Sequence, residues 1–203
     1  LSDGSSDVCS SDLLGDLRNH EPVTRAGAQP GDVVAVTGWL GWSAAGHAVL
    51  SRGFRSPRAF VEAHRRPEPP YAAGPAGAAL GATAMTDVSD GLIADLGHIA
   101  HGSKVRIDIR SAALDVPAQM SDIGQAVGVD PLHWVLTGGE DHAIVATFPP
   151  ETKLPARWRV IGEVLPNRLR GTVPSPQGSA PHPRVTVDGA AWDKAGGWDH
   201  FSQ

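Results

Sequence analysis

The sequence predicts an α/β fold in which strands and helices pack in layers. Three observations predict it. Short β-branched runs such as residues 33–37 (VVAVT) read as buried strands. Between them lie segments with apolar residues at helical spacing, such as Leu92, Ile93, Leu96 and Ile99. The two kinds of segment alternate along most of the chain, which is the pattern of a layered α/β domain. Composition agrees: 41% of the 203 residues are hydrophobic, enough for a proper core.

The same composition excludes several classes. A single cysteine cannot pair within the chain, so a disulfide scaffold is out, and a cytoplasmic location is expected. A net charge of −5 argues against non-specific nucleic-acid binding. No apolar run approaches the length that spans a bilayer, so no membrane partner is expected.

The first 13 residues, LSDGSSDVCSSDL, lack apolar periodicity and the pattern of a secretory signal. They resemble a translated sequencing adapter and are set apart from the fold. Residues 14–29 read as the end of one element and a turn. Gln29-Pro30-Gly31-Asp32 is a strong turn signal before the first strand, 33–37. Residues 43–51 predict a helix with Ala44, Ala45, Ala48 and Val49 on its apolar face. A second helix is expected over 57–64. The Arg65–Pro70 stretch, with three prolines, must be a connector. An Ala-rich helix over 72–80, a strand over 83–88, a helix over 89–101 and a strand over 105–109 follow. A short helix over 120–127 and strands over 143–148 and 158–164 come next. Residues 166–184 hold five prolines and read as an exposed loop, before a last strand over 185–188.

Three segments could carry chemistry. Thr86-Asp87-Val88-Ser89-Asp90-Gly91-Leu92, with Asp95 and His98 beyond, lies at a strand-to-helix turn. Carboxylates there can hold a hard cation, and helix N–H groups can face a phosphate. Ser89 or Asp90 can equally serve as an ordinary helix cap. Thr137-Gly138-Gly139-Glu140-Asp141-His142 places two glycines before a strand, so the backbone can turn sharply or approach a ligand. Gly196-Gly197-Trp198-Asp199-His200-Phe201 offers aromatics that can pin a tail or stack on a heterocycle. Gly38-Trp39-Leu40-Gly41-Trp42-Ser43 lacks the lysine of a P-loop, and His98 with His101 lacks the further ligands of a zinc site.

Taken in order, these blocks resemble the C-terminal part of bacterial thiamine-monophosphate kinases. The resemblance also takes in Val23-Thr24-Arg25-Ala26-Gly27-Ala28, Pro30-Gly31-Asp32, Val36-Thr37-Gly38, Ser43-Ala44-Ala45-Gly46 and the His64/Arg66-Pro67 connector. It covers everything from Leu14 onward. It implies the C-terminal domain of an aminoimidazole ribonucleotide synthetase-like fold over 30–203, a mixed sheet with packed helices. Residues 14–29 would be the last strand of an N-terminal ATP-binding domain that is otherwise missing. The implied reaction moves the γ-phosphoryl group of ATP onto thiamine monophosphate, with Mg²⁺, giving thiamine diphosphate and ADP. By resemblance, Asp87 and Asp90 ligate Mg²⁺, while Ser89 and Arg25 contact ATP. Glu140 and Trp198 hold the thiamine moiety, and no residue serves as a general base. By resemblance, the N-terminal domain supplies further Asp ligands for Mg²⁺ and ATP and also the homodimer interface, so the 203 residues alone are expected to be inactive. The alternatives are another ATP-dependent enzyme of the same superfamily and a non-catalytic module.

Overall fold

The structure is a computed structural model, and it describes residue 17, residues 21–167 and residues 184–192. The adapter-like run 1–13, most of the proline-rich loop and Trp198 lie outside the described residues.

Among the described residues, seven strands form one sheet in the order β2-β4-β1-β5-β3-β6-β7. They are β1 (Val33–Thr37), β2 (Ala84–Val88), β3 (Arg106–Ile109), β4 (Ala143–Phe148), β5 (Arg159–Leu165), β6 (Val185–Val187) and β7 (Ala190–Ala191). Every neighbouring pair is antiparallel except β3–β6, so the sheet is mixed. Six α-helices accompany it among the described residues: α1 (Trp42–Ser51), α2 (Arg58–Arg65), α3 (Ala73–Ala79), α4 (Leu92–Ser103), α5 (Ala118–Val127) and α6 (Pro131–Thr137).

Strand alternation divides the apolar residues between two faces. Val34 and Val36 of β1, with Ala143 and Val145 of β4, enter the larger core beneath α1, α2, α4, α5 and α6. Ala35, Ala146 and Phe148 enter a smaller core with Ala73 of α3 and Trp158. Phe60, Leu92, Leu96 and Ile99 are fully buried in the larger core, as the helical spacing predicts. The Pro30-Gly31-Asp32 turn forms with Gly31 at φ 100°. Asp32 then accepts hydrogen bonds from Gln29 N (2.8 Å) and Thr83 Oγ1 (2.6 Å), tying the entry of β1 to the entry of β2. Residues 21–32 run irregularly and contribute no strand.

Two features of this topology position the site. First, β1 and β2 both run antiparallel to β4, with Thr37 opposite Ile144 and Val88 opposite Ala143. The ends of β1 and β2 and the start of β4 therefore meet at one edge. Second, α1 and α4 follow β1 and β2 directly, so two helix N-termini point at that same edge.

Candidate active site

The segments around Ser89 and Glu140, some fifty residues apart in sequence, interlock at this edge. Glu140 N donates to Ser89 O (2.8 Å) and His142 N donates to Val88 O (3.0 Å). The fit depends on glycine on both sides. A Cβ on Gly139 would lie 2.2 Å from Ser89 O, and one on Gly91 would lie 2.6 Å from Thr137 O. Gly91 also sits at φ 117°, a conformation that L side chains rarely adopt. Glu140 and His142 themselves adopt positive φ (66° and 52°), so the loop holds two non-glycine residues in a sparsely populated region.

Neither helix N-terminus supplies its own cap. Gly41 and Gly91 occupy the N-cap positions, with no side-chain cap bond, which corrects the expectation that Ser89 or Asp90 caps α4. Ser89 Oγ instead donates to Asp90 Oδ1 (3.2 Å). Two aspartates bind backbone N–H groups at these turns instead. Asp95, one turn into α4, reaches back and accepts from Ser89 N and Asp90 N, both at 3.0 Å. Asp141 accepts from Gly41 N (2.6 Å) and Ser43 N (2.8 Å), capping α1 from a hundred residues away. Burial raises the pKa of Asp141 to about 6, against the opposing pull of the N–H groups of Ser43, Gly41 and Trp42. Burial also raises that of Asp95, and the nearby charges of Asp90 and Asp87 push the same way.

The carboxylates thus sort into separate tasks. Asp141 faces inward and is structural. Glu140, 74% exposed in its side chain, faces outward. Asp87 leaves β2 on the α3 side of the sheet and meets His142 Nδ1 at 3.3 Å, while His142 Nε2 lies 3.8 Å from Glu140. Asp90, Asp95 and His98 bring one ligand atom each within 4.8 Å of one another. Two carboxylates suit a hard cation such as Mg²⁺, whereas an imidazole does not, so the oxygens of Asp90 and Asp95 are the relevant donors. Asp95 has committed Oδ2 to the backbone and has Oδ1 to offer. The family resemblance singled out Asp87 and Asp90 and left out the part Asp95 plays. Its signal was an acid in the first turn of a helix that begins with glycine.

Arg25 is not brought to this edge. Its carbonyl accepts from Ser103 Oγ (3.1 Å) at the C-terminal end of α4, a helix length of about 18 Å from the Ser89–Gly91 turn. Ser43 Oγ and His64 Nδ1 lie 3.0 Å apart, but Ser43 is only 2% exposed. Its hydroxyl has no route to a substrate, and burial lowers the pKa of His64.

Residues 29–170 match the model of the AIR synthase related protein, C-terminal domain. The chain belongs to that family. It is similar to thiamine-monophosphate kinase of Mycobacterium tuberculosis, with 47% identity over 200 residues, covering 97% of this chain and 54% of the relative. The counterpart of that name from Corynebacterium glutamicum is 36% identical and covers 83% of this chain and 52% of its own length. The chain spans about half the length of the curated relatives it matches. Among solved structures, AaThiL complexed with AMPPCP and TMP superposes with a TM-score of 0.70 at 33% identity, covering 88% of this chain and 54% of that one. Thiamine monophosphate kinase from Aquifex aeolicus gives 0.68 at 32% identity, with 83% and 53% covered. The family match, the mixed seven-stranded sheet and these neighbours bear out the fold that the sequence implied.

Proposed function

We propose that this chain is the C-terminal part of a thiamine-monophosphate kinase. What carries the proposal is the interlock of the Ser89 and Glu140 loops, which gathers Asp87, Ser89, Asp90 and Glu140 at one edge of the sheet. The printed names of the relatives support it, as does the solved neighbour described with an ATP analogue and TMP.

The chemistry suits this set of residues. In the proposed reaction an oxygen of the acceptor's phosphate bonds to the γ-phosphorus of ATP. The bond from that phosphorus to the bridging oxygen breaks, and ADP leaves with the electron pair. The acceptor oxygen is already anionic near neutral pH, so no general base is needed. The barrier lies in bringing anions together and aligning them. Bound Mg²⁺ would supply positive charge there, held by Asp87 and Asp90 with Asp95 beside them. Ser89 would contact ATP from the turn before α4. Glu140, exposed on its strained loop, would accept a hydrogen bond from an amino group of the acceptor, and Trp198 would stack on its ring. Arg25, expected to contact ATP, lies about 18 Å from this cluster at the other end of α4 and takes no part in holding the phosphates there. Pairing into a homodimer and a cytoplasmic location complete the proposal; among the described residues no helix is long and apolar enough to cross a membrane.

The test is binding to the 203-residue chain, followed by ligand-detected NMR with Mg²⁺ present. Thiamine monophosphate is expected to bind, ribose 5-phosphate is not, and Glu140→Ala should remove the binding. Equal binding of the two phosphomonoesters would overturn the acceptor assignment.

A further inference from the structure

Residues 138–142 lie between the starts of α1 and α4. On the α4 side backbone bonds hold them, from Glu140 N to Ser89 O and from His142 N to Val88 O. On the α1 side the packing leaves no slack. A Cβ on Gly138 would lie 2.5 Å from Trp134 O and 2.8 Å from the Cβ of Ala44. One on Gly41 would lie 2.7 Å from Val135 N. Between these walls the side chains alternate. Those of Glu140 and His142, both at positive φ, meet on the outside. That of Asp141 turns inward and accepts from Gly41 N and Ser43 N.

Helix capping alone does not account for this arrangement. The turn before α4 is held by a local acid, Asp95, five and six residues on from the amides it binds. The first turn of α1 has no acid, and its N–H groups are bound by the residue directly beside Glu140. The backbone bonds to the α4 side fix the amides of Glu140 and His142. They leave the peptide units between those amides free to rotate. Non-glycine residues at positive φ keep that conformation only where their surroundings hold it. The two-pronged grip of Asp141 supplies the hold, and its anchor is the end of a ten-residue helix. Without it the segment can relax, and Glu140 turns away from the open side of the edge.

We propose that Asp141 is a positioning residue: its grip on the start of α1 holds Glu140 in the direction from which it meets the acceptor. The part given to Glu140 rests on the kinase assignment above. The latch between Asp141 and α1 adds what aims that side chain.

The test uses the 203-residue chain and two measurements. The NMR coupling between the amide and Cα protons of Glu140 and of His142 reports φ and needs no ligand. A thiamine monophosphate titration reports the binding that Glu140 serves. Asp141→Ala removes both bonds to α1, and Asp141→Asn keeps one acceptor oxygen. Val49→Ala, on the buried face of the same helix, lowers stability without touching the loop and is the control. Circular dichroism and a thermal melt keep every measurement below unfolding. Asp141→Ala is expected to change both couplings and to weaken thiamine monophosphate binding by about tenfold or more. Asp141→Asn should weaken it by about two- to fivefold, and Val49→Ala should match the wild type in both measurements. Wild-type couplings and affinity in folded Asp141→Ala overturn the proposal and leave the kinase assignment standing. If Asp141→Ala does not fold, the same result in Asp141→Asn overturns it. An equal loss of affinity in Val49→Ala reduces Asp141 to a structural part and also overturns it. Changed couplings with unchanged affinity uphold the latch and overturn the part given to Glu140. A wild-type chain that does not bind thiamine monophosphate overturns the kinase assignment, and the couplings alone then decide the latch.

Discussion

Replacing Asp141 with asparagine should change how the stability of the fold depends on pH. In the folded chain this carboxyl is 9% exposed and titrates at about 6, against an ordinary value of 3.8. The folded state therefore holds the proton more tightly than the unfolded state. The favourable contribution is fully present below pH 3.8 and is lost as pH rises through 6. A shift of about two units corresponds to roughly 3 kcal/mol in full; about 0.5 kcal/mol of it is already lost at pH 4, so the wild type should lose about 2.5 kcal/mol from this group between pH 4 and pH 7. The asparagine side chain does not titrate but keeps a carbonyl oxygen for part of the α1 cap. Urea unfolding of both proteins at pH 4, 5, 6 and 7 isolates the effect. The stability difference, wild type minus variant, should fall by about 2.5 kcal/mol across that range, most steeply between pH 4 and 6. A flat difference, or one rising with pH, would mean that the N–H groups of Gly41, Trp42 and Ser43 outweigh burial.

Three further predictions concern the loops. Gly139→Ala forces a methyl group onto Ser89 O and should destabilise the chain towards the upper end of about 1–3 kcal/mol, read by denaturant midpoint. An unchanged midpoint would show that the loops separate freely. Asp95→Ala leaves Ser89 N and Asp90 N without their acceptor and should cost about 1–3 kcal/mol. Wild-type stability would remove Asp95 as the clamp of that turn. Asp87→Asn, half exposed in its side chain, should shift stability by no more than about 0.5 kcal/mol. It should also lower the affinity for Mn²⁺, a reporter for Mg²⁺, by about tenfold in an electron paramagnetic resonance titration. Undiminished Mn²⁺ affinity would take Asp87 out of the metal site.

The strongly periodic elements were legible in the sequence because their own residues decide them. The fully buried Leu92, Leu96 and Ile99 mark α4, and short, nearly continuous apolar runs mark Val33–Thr37 and Ala143–Phe148. Helix α6 was not expected, although Asp130 caps it through Leu132 N and Pro131 begins it. Seven residues leave little periodicity, and Gly128, Asp130 and Pro131 read equally well as a loop. The N-cap of α4 went astray for a related reason. Ser89 and Asp90 have capping chemistry, but the chain needs Gly91 to pass Thr137 O, and the cap falls there. Strand order could not be read locally, because it rests on pairings such as Thr37 with Ile144, more than a hundred residues apart. Within the site, the two motifs were visible, but not that Asp141 faces inward while its neighbour Glu140 faces out.

The backbone bonds between the two loops also set how this edge can open. Since Glu140 N and His142 N are held by carbonyls on the other loop, neither amide can meet solvent unless the loops part. Their hydrogen exchange should therefore be protected together and lost together, as one cooperative unit. A small molecule gripping either loop would slow exchange on both.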